Sequence, residues 1–173
     1  MVKAAYSSGT PAYGVGAGNS ITIVDETADL AEAAHKIFLS KTFDFATSCS
    51  SENSAVISDQ VFDAFVGFLE DEGGYLCDSE ERSKLYQAMW PAGVHLNREV
   101  IAQSAQKIAE IAGIDLPEGK SFIMVMGEQI GREDLFSGEK LSVVLTLWKY
   151  HDFEDAIKLV QDITAFNGTG HSC

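Results

Sequence analysis

Residues 20–57 read SITIVDETADLAEAAHKIFLSKTFDFATSCSSENSAVI. Ser20–Val24 is a short apolar, β-branched run between polar residues, which predicts a buried strand. Asp25 or Thr27 can cap the helix that follows. From about Asp29 to Thr42 the residues Leu30, Ala33, Ala34, Ile37 and Phe38 fall on one helical face. Ser54–Ile57 is a second short apolar run. Strand, helix and strand in succession predict a βαβ unit, and so a parallel pairing that a helix crosses over. The loop Lys41–Ser54 that returns to the second strand carries a single cysteine, Cys49, among small polar residues.

The same alternation extends outward. Upstream, Met1–Ser8 reads as the tail of a helix, broken by Ser8-Gly9-Thr10-Pro11 and followed by the glycine-rich Ala12–Asn19. Downstream, Ser58 or Asp59 can cap a helix with Val61, Phe62, Phe65, Phe68 and Leu69 on its apolar face, stopped by Gly73-Gly74. Helices are predicted over Ser79–Met89 and Arg98–Ala112, a strand over Ser121–Met126, a turn-rich segment over Gly131–Gly138, a strand over Leu141–Trp148 and a helix over Phe153–Phe166. This pattern predicts one α/β domain around a largely parallel sheet. Asn167–Gly170 begins a turn that the end of the chain interrupts, so a segment cut at both ends is expected.

The formal net charge of −14 argues against a nucleic-acid partner, since phosphate binding needs a basic footprint. Much of the acid lies between Asp59 and Glu81 and is expected on a solvated face. No apolar run approaches the roughly 20 residues of a membrane helix, and no secretory leader is visible. Three cysteines in no CxxC pair point to reduced thiols and a cytoplasmic setting. The histidines His35, His95, His151 and His171 are scattered without zinc-ligand spacing, so no metal is expected.

The residues alone leave two readings of Cys49 open. A loop position among serines suits a reactive thiol that a substrate can approach; free cysteine is also a common partly buried core residue. Neither His nor Arg neighbours it in sequence. Cys77, after an amphipathic helix, reads as incidental. Gly14-Val-Gly-Ala-Gly18 is spaced GxGxG and precedes a strand, whereas the dinucleotide fingerprint is GxGxxG and opens a helix. It reads instead as a crossing where two backbones come close. His171 lies in a glycine-bracketed loop, where functional residues concentrate, and His35 reads as a helix surface or packing residue.

Taken together, Met1–Gly9, Gly14–Asn19, Val24–Asp29, Lys41–Asp44 with Cys49–Glu52, Gly73–Tyr75, Glu139–Ser142, Asp152–Ala156 and Gly168–His171 resemble, in order, the aldehyde dehydrogenase superfamily and specifically its coenzyme A-acylating branch. The resemblance covers nearly the whole chain and implies a Rossmann-like three-layer catalytic domain over residues 1–173. A nucleotide-binding half would precede it and an oligomerisation segment would follow. It implies that Cys49 is the nucleophile, attacking an aldehyde carbonyl to give a thiohemiacetal. Hydride would pass to NAD or NADP, and coenzyme A would take the acyl group from the resulting thioester. The Cys49 N–H would be one oxyanion donor. Glu139 falls where the family binds the nicotinamide ribose, with Val143 standing where a proline is more usual. His171 falls on a histidine of the acylating branch near the reaction centre. A homo-oligomeric parent is also implied.

One departure bears on the chemistry. Hydrolytic members carry a glutamate base at the start of the glycine-rich motif, whereas Ala12–Asn19 has no carboxylate. Without a base for water, the thioester should wait for a thiol. The alternatives are a hydrolytic aldehyde dehydrogenase that releases a free acid, and a non-catalytic α/β domain in which Cys49 is structural.

Overall fold

The computed structural model describes residues 2–14 and 16–170. A short helix α1 (Val2–Tyr6) leads through the glycine-rich segment to β1 (Ile21–Val24). Then come α2 (Leu30–Thr42), β2 (Ser54–Ser58), α3 (Phe62–Asp71), β3 (Gly74–Leu76), α4 (Ser79–Met89), α5 (Ala105–Ala112), β4 (Phe122–Met126), β5 (Val144–Tyr150) and α6 (Phe153–Phe166). The strands form one sheet in the order β1-β2-β5-β4-β3, and every pairing is parallel.

The predicted βαβ unit stands. Ile21 pairs with Ser54 and Val24 with Ile57, and α2 is the crossover. Asp29, not Asp25 or Thr27, caps α2, its carboxylate accepting the Glu32 N–H at 3.1 Å. Ala34 and Ile37 enter the core, with Leu30, Ala33 and Phe38 against it. Both faces of the sheet are covered, as a parallel sheet requires. Ala55, Ile57, Leu145 and Leu147 belong to the larger core with α2, α3, α4 and α5, whereas Val56, Trp148 and Tyr150 pack on Ala156 and Ile163 of α6. This three-layer arrangement is the fold class the sequence predicts.

Four local expectations change. The helix read over Arg98–Ala112 is a 3-10 turn, Arg98–Val100, and the separate α5, capped by Ser104. Ala102 between them has φ +57°, outside the helical region, and its N–H bonds to Leu141 O at 3.1 Å. β5 begins at Val144, not Leu141, because Leu141 has φ +44° and cannot extend the ladder. Gly74–Leu76, where the sequence reading places no strand, is an edge strand on β4. Neither Ser58 nor Asp59 caps α3, whose first flanking residue Val61 makes no side-chain cap, and Phe68 is 38% exposed. Asp59, Asp63, Glu70, Asp71, Asp78 and Glu80 are exposed, as a solvated face demands.

Candidate active site

In a parallel sheet every strand starts at the same edge. The glycine-rich segment precedes β1, the Cys49 loop precedes β2 and the Glu139 loop precedes β5, and these three strands are neighbours. Their amino ends bring the three segments side by side. α2 and α6 run back against the strands, so their carboxyl ends return to this edge. α2 ends at Thr42, just ahead of Cys49, and α6 delivers Asn167–Gly170.

Contacts fix this convergence. A Cβ placed on Gly16 would lie 2.8 Å from Gly170 Cα, and one on Gly168 would lie 3.0 Å from Asn19 Cβ. The glycines are therefore a backbone crossing, as the GxGxG spacing suggests. Asn19 is buried and donates through Nδ2 to Ser137 O at 2.8 Å, spanning the sheet edge to the segment before β5. The Asn53 N–H donates to Ser20 O at 2.8 Å, and Asn53 Oδ1 accepts the Lys140 N–H at 2.9 Å. Asn167 Oδ1 accepts the Glu139 N–H at 3.0 Å.

Cys49 is exposed on this edge, in a turn closed by the Ser51 N–H donating to Ser48 O at 3.0 Å. The backbone before it is unusual. Asp44, Phe45 and Ala46 have φ of +48°, +52° and +58°, three successive left-handed residues without a glycine. Glu139 is half-buried beside a crevice of about 140 Å³ that Trp90, Val94, Gly138, Phe166 and Asn167 complete. His171 lies outside the described residues. Cys77 differs from Cys49 throughout: it is buried, and burial with the nearby Glu81 and Asp78 pushes its thiol up to about 12. His35 is exposed on α2 and pairs with Glu72 at 3.1 Å.

Two framework lysines escaped the sequence reading. Lys41 is 1% exposed, and its Nζ donates to Glu52 O and Ser142 O, each at 2.9 Å. Burial pulls its ammonium down to about 7, against the opposing pull of the Glu52 carboxylate. Lys140 is fully buried, donating to Phe136 O at 2.7 Å and Gly138 O at 2.9 Å. Burial, and then the charge of Lys41, hold it well below the lysine range. Lys41 left a trace in the sequence: it continues the apolar stripe of α2, three residues after Phe38 and four after Ile37. Lys140 left none.

The fold has close counterparts. The acetylating aldehyde dehydrogenase of Geobacillus thermoglucosidasius superposes with a TM-score of 0.90 at 36% identity, over 96% of this chain and 37% of that one. In the propionaldehyde dehydrogenase of Rhodopseudomonas palustris, solved with bound CoA and an acylated cysteine, 37% of the chain matches 94% of this one at 27% identity, TM-score 0.79. In sequence, the acylating sulfoacetaldehyde dehydrogenase of Bilophila wadsworthia is 49% identical over the whole of this chain, which spans 38% of its length. No protein-family model matches the chain. By sequence and fold the chain is similar to coenzyme A-acylating aldehyde dehydrogenases, and it spans well under half the length of the relatives it matches.

Proposed function

We propose that this chain is the cysteine-bearing catalytic domain of an NAD(P)-dependent, coenzyme A-acylating aldehyde dehydrogenase, with Cys49 as acyl carrier. The observation that carries the reading is the exposed Cys49 on an edge whose glycine crossing, Ala12–Asn19, holds no carboxylate. The thiolate adds to the aldehyde carbon, forming a C–S bond and an oxyanion. Loss of hydride from that carbon restores the carbonyl as a thioester. A second thiolate, that of coenzyme A, then displaces Cys49 and leaves with the acyl group. Among solved neighbours, an engineered glycolyl-CoA reductase holds NADP⁺ and a propionaldehyde dehydrogenase holds CoA, and in this reading NAD(P)⁺ supplies the hydride acceptor.

The chain's own residues fit one end of such a cofactor. Glu139 lines the crevice, and in this reading a ribose hydroxyl would donate to its carboxylate. A crevice of about 140 Å³ is well below the roughly 300–1,000 Å³ of a ligand pocket. Most dinucleotide contacts then belong to sequence that the relatives have and this segment lacks, which is why we expect the 173 residues alone not to turn over. His171, which follows Gly170 in the sequence, completes the proposed catalytic set. Assembly as a homo-oligomer in the cytoplasm belongs to the same reading. Among the described residues no helix is long and apolar enough to cross a membrane, and no cluster of ligating side chains could hold a metal.

A hydrolytic outcome has one observation in its favour. Glu52 lies three residues after Cys49, and its Oε2 is buried without a hydrogen-bond partner among the described residues. It is the carboxylate of this loop nearest to Cys49 in the sequence. The test follows NADH formation from acetaldehyde by the protein with its flanking sequence, with and without coenzyme A, and identifies the product by mass. Turnover that needs coenzyme A, ends in acyl-CoA and vanishes in Cys49→Ser supports the acylating reading. Free acid formed without coenzyme A, and abolished by Glu52→Gln, transfers the assignment to hydrolysis. NADH formation by the 173 residues alone would sink the expectation that they are inactive.

A further inference from the structure

We propose that Lys41 is a positioning residue of this site: its buried side chain fastens the loop that carries Cys49 to the loop that carries Glu139. The inference rests on the reading of those two residues given above. The two carbonyls that Lys41 grips are placed alike. Glu52 follows Cys49 by three residues, and Ser142 follows Glu139 by three. One Nζ therefore joins two turns that are about ninety positions apart in the chain and meet only at the amino ends of β2 and β5.

An ammonium is an expensive way to fill a core. Desolvation costs several kcal/mol per ion, and a hydrophobe of the same volume often does as well or better. What a hydrophobe cannot do is donate. Replacing Lys41 by an apolar side chain removes the Nζ donor from two carbonyls at once, and an unsatisfied buried polar group is costly. Lys140 repeats the device within one loop, gathering Phe136 O and Gly138 O, while its own N–H bonds to Asn53 Oδ1 beside the Cys49 turn.

The backbone shows why such a fastening is needed. Among the described residues the non-glycine positions with positive φ are Asp44, Phe45, Ala46, Ala102 and Leu141. The first three lead into the Cys49 turn. Leu141 lies two residues after Glu139, and Ala102 bonds to its carbonyl. Left-handed conformations in such residues persist only where the surroundings over-determine them. Lys41 sits between the two groups: three residues before Asp44 in the chain, and hydrogen-bonded to the residue after Leu141.

Amide hydrogen exchange on Lys41→Met reads the fastening without reference to turnover. Protection in residues 47–53 and 139–143 should fall together by 10-fold or more, while α3 and α6 keep theirs. In the protein with its flanking sequence, kcat should fall at least 10-fold. Unchanged exchange in either loop, or an equal loss through every helix, overturns the proposal, because Lys41 is then a core residue like any other. If Lys41→Met does not fold, the wild-type chain decides. Amides of the two loops should share one denaturant dependence; separate dependences overturn the proposal. If instead Cys49→Ser leaves coenzyme A-dependent turnover intact, the reading of the site fails, and the exchange result still decides whether Lys41 couples the loops.

Discussion

The two edges of the sheet are built by different rules. At the carboxyl edge the chain leaves each strand into a turn or a helix start, and many of its polar groups are satisfied by neighbours in sequence, beside cross-links such as His151 to Asp59 and Arg82 to Met126 O. Asp25 accepts the Thr27 N–H and hydroxyl at 2.9 and 2.7 Å. Asp78 and Glu81 form a reciprocal capping box on α4, and Asp152 caps α6 through the Asp155 N–H. At the amino edge the bonds are long-range: Asn19 to Ser137, Lys41 to Ser142, Asn53 to Lys140. The carboxyl ends of α2 and α6 also gather there, so their dipoles disfavour an anion. Lys41 and Lys140 place their buried Nζ donors there, each on two backbone carbonyls. Open parallel sheets ordinarily place ligands at the carboxyl edge. Here the strain, the glycine crossing and the exposed cysteine all lie at the other one, which is where a sequence is expected to break its own local rules.

The largest expected contrast is between the two thiols. Cys77 leaves β3 at the carboxyl edge, buried, its thiol raised from 9.0 to about 12. That shift alone lowers its thiolate fraction about 10³-fold, and the thiolate is the species that is alkylated. At pH 7.5, iodoacetamide should label Cys49 at least about 100-fold faster than Cys77, as peptide mapping by mass will show. Equal, slow labelling would remove the distinction between the edges and favour a structural Cys49.

Next in size is stability against pH, where the edges should pull in opposite directions. Lys41 is held at about 7 in the folded chain and returns to 10.5 on unfolding. Between those values the unfolded chain binds more protons, so stability rises with pH, by at most about 1.4 kcal/mol per unit. Lys140 acts in the same direction. Above pH 9 the climb slows, because the folded chain keeps the Cys77 proton that the unfolded chain releases, which offsets one of the two lysines. Tyr75, raised to about 12 chiefly by its hydrogen bond to Glu81, joins it above pH 10. Urea midpoints should therefore climb from pH 7, flatten above about 9 and turn over only beyond about pH 10, where the lysines of the unfolded chain also lose their protons. In a folded Lys41→Met the climb should shrink. A flat profile from pH 7 to 9 would mean that the amino edge is open to solvent.

The same contrast explains what could be read from the sequence. Strand β1, helix α2, strand β2 and helix α6 were legible because periodicity and caps are local. The glycine crossing was legible because a GxGxG run ahead of a strand suits a close approach of two backbones, whereas the residues around Cys49 left two readings open and the fold adds its exposure. Ala102 was not. Nothing in Arg98–Ala112 argues against a continuous helix; the break comes from a bond to Leu141, a residue far along the chain. The start of β5 was lost for the same reason. Lys140, flanked by Glu139 and Leu141, resembles any turn lysine until the fold buries it.

The smallest expected effect tests whether the left-handed residues are under strain at all. Ala102 (φ +57°) supports the Glu139 loop, while Gly113 (φ +68°) closes α5 at a plain helix end. The two sites ask nearly the same of the backbone, and only the second uses the residue that adopts it freely. A Cβ on Gly113 would meet nothing within 4 Å, so Gly113→Ala isolates the conformational cost. It should lose about 1 kcal/mol, or about 3 °C in Tm for a chain of this size. Ala102→Gly should gain by the same mechanism, less a fraction for its half-buried methyl, a rise of about 1–2 °C. Thermal melts of the two variants read opposite signs if the strain is real. A loss in both would show that the Ala102 methyl holds the Leu141 turn by packing, and that the amino edge stores less strain than its dihedral angles imply.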